Sequence, residues 1–349
     1  MSKLLSNPSG MNSPRKRRTV LALTLGDAGG IGPEVALRAA LDPAWPSSLH
    51  RVLVGSRAVA DAAAELCRVR PLPDWNPEKP GAALSLWDPR PIRLTHWPGR
   101  PSAAAARAAA SWIEAAVEGC LLGRFDGLVT APICKEGLAM AGIRFPGHTE
   151  MLAALTGTRR YAMMLAGGPL RVVLATRHLP LAKVPAAVTA EAIREAAELT
   201  VESLPWLGYP QGRIAICALN PHAGDGGLLG HEEEAVIIPE IRSLRRRGFP
   251  VDGPIPADVV FYQACQGRFA AVVAMYHDQG LGPLKMLAFN SGINVTLGLP
   301  IVRTSPDHGT AFDVAWSGKA DPGSMIEAVR LAARLARRPN PWAAGRGRI

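Results

Sequence analysis

Short apolar runs recur along this chain with helix-forming stretches between them, and that alternation limits its fold more than any other feature. The runs are 20–25 (VLALTL), 51–55 (RVLVG), 127–131 (GLVTA), 161–167 (YAMMLAG), 170–176 (LRVVLAT), 213–219 (RIAICAL), 270–276 (AAVVAMY) and 293–298 (INVTLG). They lack strict apolar–polar alternation, which is the pattern of strands buried on both faces. Helices are expected over 102–119, with Ser102 as N-cap, over 189–204, and over 231–248, which opens on acids and closes on arginines and Gly248 as the helix dipole favours. Strand–helix alternation predicts an α/β fold with a largely parallel sheet. The stretch 69–100, rich in Pro, Trp and Arg, reads as a meander or hairpin excursion.

The 349 residues suit one large domain or two of ordinary size, and 48% hydrophobic against 19% charged residues excludes global disorder. No apolar run approaches the ~20 residues that cross a bilayer, so no membrane span is expected. The net charge of +10 suggests nucleic acid until it is located. Residues 1–19 and 331–349 are basic without a single acid, and the body between them is formally neutral. The basicity therefore belongs to the ends, which read as solvated, partly disordered tails rather than a specific nucleic-acid site. Five dispersed cysteines with no CxxC pair point to a reducing, cytoplasmic compartment. The basic N-terminal cluster is not followed by a signal-peptide core, and Met11 is a second candidate start.

Three strand-like runs end in histidine loops: 171–180 (RVVLATRHLP) with His178, 213–227 (RIAICALNPHAGDGG) with His222, and 271–280 (AVVAMYHDQG) with His277. Ligand sites of open parallel sheets gather at the carboxyl ends of strands. One strand-end histidine reads as a capping or hydrogen-bonding residue. Three in the same setting read as a catalytic divalent-metal site with an open position. The surrounding residues suit an anionic substrate. His148 and Thr149 (FPGHTEMLA) stand at the mouth of a helix, either as its cap or as part of an anion site. Lys285, Asn294 and Arg303 follow nearby, and cationic side chains grip phosphate or carboxylate. The glycine loop 23–37 (LTLGDAGGIGPEVAL) follows a strand and opens a helix with Pro33, but it lacks the GxGxxG spacing and the later acid of a Rossmann site. The loop 303–324 is a second candidate nucleotide holder.

The blocks GDAGGIGPEV, VTAPICKEGL, FPGHTEMLA, LATRHLPL, LNPHAGDGGLLGHEEE, AMYHDQGLGPLK and GINVTLGLPIVRTSPDHGTAFDVA make the chain resemble the 4-hydroxythreonine-4-phosphate dehydrogenase (PdxA) family. The resemblance runs over nearly the whole chain without its tails and extends to the isocitrate/isopropylmalate dehydrogenase-like superfamily, whose NAD site is not Rossmann. It implies a three-layer α/β/α fold with two domains flanking a cleft. The expected division is a tail over 1–19, a first domain over 20–125 plus 300–338, a second with the dimer interface over 126–299, and a C-terminal tail over 339–349. It also implies that His178, His222 and His277 bind a divalent metal (Zn, Mg or Co) shared between the subunits of a homodimer. His148, Thr149, Lys285, Asn294 and Arg303 would hold the phosphorylated substrate, Asp258 and Asp278 would lie near the reaction centre, and Asp307, His308 and Gly309 would face NAD or NADP. Two departures stand out: LGDAGG where a Pro-Gly-Glu-Pro-Ala-Gly type sequence is usual, and Trp316 where glycine is common.

The implied reaction is oxidation of a secondary alcohol followed by loss of CO2, with an acid or Lys285 accepting the proton. The expected substrate is 4-phosphooxy-L-threonine, in pyridoxal 5'-phosphate biosynthesis. The alternatives are a paralogue acting on D-threonate or D-erythronate 4-phosphate, a metal hydrolase working without NAD, and a binding protein acting through its basic tails.

Overall fold

The computed structural model describes residues 18–78, 82–92 and 99–343. All eight apolar runs are strands. The described residues hold eleven: β1 (Thr19–Thr24), β2 (Leu49–Val54), β3 (Leu84–Trp87), β4 (Gly127–Thr130), β5 (Ala162–Gly167), β6 (Leu170–Leu174), β7 (Ile214–Cys217), β8 (Val251–Ile255), β9 (Ala271–Ala274), β10 (Ile293–Leu297) and β11 (Arg303–Pro306). The helices are α1 (Gly32–Ala40), α2 (Arg57–Leu66), α3 (Ala103–Leu121), α4 (Lys135–Met140), α5 (His148–Leu155), α6 (Val184–Ala187), α7 (Ala190–Leu207), α8 (Ile238–Arg246), α9 (Ala257–Cys265), α10 (His277–Ala288) and α11 (Gly323–Leu335). Ser102 caps α3 by accepting the Ala105 N–H at 3.1 Å, as its position predicts. The acid-led stretch after 231 begins as a π-helical turn, Glu233–Ile237, before α8 takes over.

The strands form one sheet in the order β3-β2-β1-β4-β11-β10-β5-β6-β9-β7-β8. The flanks are parallel, as expected, but the centre is not: β10 runs antiparallel to both β11 and β5, and β5 antiparallel to β6. The connections explain this. Two residues, Gly168 and Pro169, join β5 to β6, and Gly168 adopts φ +54°. A link that short makes a hairpin, whereas a parallel pair needs a crossover of roughly a dozen residues or more. The two parallel blocks consequently run in opposite directions, and the central antiparallel strands lie between the carboxyl ends of one block and those of the other.

Helices α3 and α11 pack on the β1–β4–β11 block, and α7, α9 and α10 on the β5–β6–β9–β7 block. The strands pack into two buried apolar clusters, one spanning most of the sheet and a second between β5, β6, β9, α9 and α10. The result is a large mixed sheet flanked by helices, the α/β architecture expected from the sequence. The boundary expected at residue 126 falls just before β4, whose partners β1 and β11 both belong to the first block.

Three strands escaped the sequence reading. β3 is only four residues inside the Pro- and Trp-rich stretch, β8 carries Asp, Gly and Pro at the sheet edge, and β11 is the polar tetrapeptide Arg-Thr-Ser-Pro, buried throughout. The described part of the C-terminal end, up to residue 343, also differs from the expected solvated tail. Arg338 donates to the Trp206 carbonyl at 2.9 Å, and Trp342 donates to Glu202 at 2.7 Å while packing edge-on against Trp206, so the chain is docked on α7 through that tryptophan. The N-terminal basic cluster before Arg18 lies outside the described residues. No helix among the described residues is long and apolar enough to cross a membrane.

Candidate active site

A cavity of about 670 Å³ lies over the central strands, where Asn294 of β10 pairs with Leu165 of β5 and Ser305 of β11. At one end stand His178, after β6, and His277, the first residue of α10. At the other are Asp307, His308 and Gly309, directly after β11. The middle is cationic. Arg303, 1% exposed, hydrogen-bonds only to neutral hydroxyls: Thr130 Oγ1 at 2.8 and 3.3 Å and Thr296 Oγ1 at 3.0 Å. Burial pushes its pKa down to about 9 against the opposing charge of Glu150, so it remains cationic at neutral pH, and no acid forms an ion pair with it among the described residues. His148 Nε2, Asn294 Oδ1 and Arg177 Nη1 are buried around the same space with no hydrogen-bond partner among the described residues. Buried polar groups left unmatched on one cavity wall are what a polar ligand would complete.

The helix α5 opens toward the cavity. Gly147 holds its N-cap position with extended backbone and no side-chain bond, so neither His148 nor Thr149 caps it, and the free N–H groups at this end suit an anion. Burial and then the charge of Arg303 hold His148 well below its ordinary value of 6.5, which makes it a neutral hydrogen-bonding group. Lys285 is engaged. Its Nζ meets Asp307 Oδ2 at 2.9 Å and donates to the Asp307 carbonyl at 2.5 Å, tying α10 to the loop after β11.

The rings of His178 and His277 meet with centroids 5.3 Å apart. Asp278 Oδ1 lies 2.7 Å from His277 Nδ1, which leaves Nε2 free for a ligand, the arrangement that fixes the tautomer of a metal-binding imidazole. Burial, Lys135, His277 and Arg177 depress the His178 pKa, so that its imidazole is neutral at pH 7. Two adjacent imidazoles suit a divalent cation of borderline softness. His222 does not join them within the chain. It is exposed on the segment Pro221–Gly227 and is not part of the cavity wall. Among the described residues, no group of three His, Cys, Asp or Glu side chains is placed to hold a metal ion. Asp258 likewise sits exposed in the first turn of α9, outside the cavity wall.

The sequence reading missed Lys135, Glu150 and Arg177, which line the cavity. Lys135 and Glu150 lie in blocks that were recognised, CKEGL and HTEM, so their strand-to-helix position was the available signal.

A second pocket of about 190 Å³ continues from the first past His308 and Gly309 to Pro132 and Ile133. The glycine loop supports this region from behind. A Cβ on Gly30 would lie 2.6 Å from the Thr310 carbonyl oxygen, which also accepts the Ile31 N–H at 2.9 Å. The two departures noted above touch each other: Trp316, at φ +60°, donates its indole N–H to the Ala28 carbonyl at 2.8 Å.

The family model described as "Pyridoxal phosphate biosynthetic protein PdxA" matches residues 47–332. The chain belongs to the PdxA family. A 4-hydroxythreonine-4-phosphate dehydrogenase of Chromobacterium violaceum is 46% identical, covering 92% of this chain and 98% of the relative. A D-threonate 4-phosphate dehydrogenase of Cupriavidus necator is 42% identical, covering 91% and 98%. The crystal structure of 4-hydroxythreonine-4-phosphate dehydrogenase from Klebsiella pneumoniae superposes with a TM-score of 0.84 at 37% identity, covering 93% of this chain and 100% of that one. These PdxA relatives are dehydrogenases, oxidoreductases acting on a CH–OH group.

Proposed function

We propose that this chain catalyses the NAD-dependent, divalent-metal-dependent oxidation and decarboxylation of 4-phosphooxy-L-threonine to 3-amino-2-oxopropyl phosphate, in pyridoxal phosphate biosynthesis. Arg303 carries the proposal: a buried guanidinium with only hydroxyl partners, facing a cavity that ends in two adjacent imidazoles. Such a charge calls for an anion, and the names of the relatives supply a phosphate ester.

His148, Thr149, Asn294 and Arg303 hold the phosphate against the open end of α5, and Lys285 secures the far side of the substrate. His178 and His277 would hold the metal, with His222 of the partner subunit completing the set. The ion would supply Lewis-acid polarisation of the alcohol oxygen and of the ketone that replaces it. Asp307, His308 and Gly309 would hold the dinucleotide, which takes up the hydride. The hydroxyl proton passes to Lys285 or an acid beside it; the C–CO2 bond then breaks, and its electron pair becomes an enolate that is protonated at carbon. Asp278 keeps the His277 ring oriented throughout.

A shared site agrees with the surface. Met286 and Phe289 of α10 are 86% and 75% exposed, Tyr262 of α9 is 69% exposed and Leu228, beside the His222 turn, 82%. Apolar side chains this open suit burial in a homodimer. A cytoplasmic place of action is supported by five cysteines, none of them in a disulfide.

The Cupriavidus relative favours a second reading, D-threonate 4-phosphate as substrate. Glu150 favours the first. It lines the cavity without a hydrogen bond or ion pair among the described residues, whereas Asp307 is held by Lys285, so its carboxylate is suited to a substrate ammonium as well as to balancing Arg303. NADH production measured on both substrates, with and without chelator, tests the assignment. The amino substrate should turn over and the chelator should stop it. Faster turnover of phosphorylated threonate overturns the substrate, and a chelator-insensitive rate overturns the metal.

A further inference from the structure

His222 stands on a stretch of backbone that few sequences adopt. Five consecutive residues, His222 to Gly226, are left-handed, with φ of 50°, 56°, 80°, 43° and 65°. Gly224 and Gly226 take this conformation freely, but His222, Ala223 and Asp225 do so at a steric cost. Strained backbone persists only where neighbouring structure dictates it. Here the neighbour is one carboxylate. Glu233, 1% exposed, accepts the N–H groups of Leu219 and Asn220 through Oε1, both at 2.8 Å, and the Asn220 side-chain amide through Oε2 at 2.8 Å. The same amide nitrogen also donates to Glu232 at 2.7 Å. The fit over this clasp is close: a Cβ on Gly224 would lie 2.9 Å from Glu233 Oε2, and one on Gly230 2.3 Å from the Asn220 amide nitrogen. No cation pairs with Glu233 among the described residues; it is satisfied entirely by N–H donors from the two residues at the base of the His222 turn. It also opens the π-helical turn before α8, and such turns collect at functional sites.

We infer that Glu233 is a positioning residue for His222: it clamps Leu219 and Asn220 so that the left-handed turn presents the imidazole outward, in the pose a partner subunit's metal site requires. The inference rests on the reading above, that His222 is a ligand given across the dimer. Partners behind a ligating histidine typically change metal affinity about 10–100-fold when removed. Glu233→Gln replaces one acceptor oxygen with an NH2 that faces other donors, and leaves the volume unchanged.

The experiment measures the Zn²⁺ dissociation constant of the full-length protein by competition with a chromophoric chelator, for wild type, E233Q, H222A and E233Q/H222A, alongside circular dichroism, oligomeric state and amide exchange of residues 219–227. E233Q should weaken Zn²⁺ by ~10-fold or more, speed exchange of the Leu219 and Asn220 amides and keep the global fold. It should add nothing in the H222A background. Wild-type affinity in E233Q while H222A is weakened overturns the clamp and leaves the ligand reading standing. Undiminished affinity in H222A overturns the ligand reading itself. Should E233Q not fold, Gly224→Ala, which pushes a methyl against Glu233 Oε2, is the second variant: it should lower Zn²⁺ affinity likewise, and wild-type affinity there overturns the inference.

Discussion

Arg303 costs the empty protein stability. A guanidinium sealed from water with three hydroxyl contacts gives up more solvation than those bonds return, and the anion proposed above would recover the deficit. Arg303→Met should therefore do two opposite things. Melting temperature without ligand should hold or rise, while affinity for the phosphorylated substrate falls by about 2–5 kcal/mol, or ~30-fold and upward, as expected when one partner of a buried charged pair is removed. Thermal melts with and without inorganic phosphate check both; a phosphate-induced shift retained in the variant would place the anion elsewhere.

His148 makes an acid-side prediction. Its folded pKa is depressed below the ordinary 6.5, so its contribution to stability is complete above that value and is lost as pH falls below it, where the unfolded chain binds the proton first. His178 and His50 are depressed as well, chiefly by burial, so three groups act in the same direction. Stability should decline from about pH 6.5 downward, and His148→Asn should flatten that decline without abolishing it. Chemical denaturation at stepped pH measures this; an unchanged slope would remove His148 from the account.

Among the elements, the ends of β6, β9 and β7 are joined by side chains that the apolar pattern does not reveal. Thr176 donates to the Met275 carbonyl at 2.7 Å, so residues two before His178 and His277 are fastened together. Gln279, 8% exposed, accepts the Met275 N–H at 2.7 Å and donates to the Ala218 carbonyl at 2.7 Å, linking β9 to the strand that leads to His222. Gln279→Leu keeps the apolar bulk but strands one N–H and one C=O, each costing about 1–3 kcal/mol. A loss of ~2–4 kcal/mol in urea unfolding is expected, with metal affinity falling in parallel. A variant as stable as wild type would show that water replaces the amide.

At the scale of the whole molecule, a single chain offers two imidazoles to the cavity and holds the third outside it. The same surface exposes Met286, Phe289 and Tyr262. The expected outcome is a dimer in sedimentation analysis, and a Met286→Glu/Phe289→Glu variant that is monomeric, folded and deficient in metal. A folded monomer that binds metal as tightly as wild type would show that one chain suffices.

The sequence determined the eight apolar strands, the Ser102 cap, the histidine at the tip of each of three strands and the cationic character of the site, because these depend on hydrophobic burial, local capping and residue chemistry. It did not reveal β11, whose three polar residues and proline are buried only because neighbouring strands surround them, nor the antiparallel centre that sends the two parallel blocks in opposite directions. Pairing of distant segments made those decisions. It brought Asn294, Leu165 and Ser305 side by side, turned Lys285 onto Asp307, and left His222 exposed and outside the cavity wall, because where a side chain stands is set by the backbone that carries it.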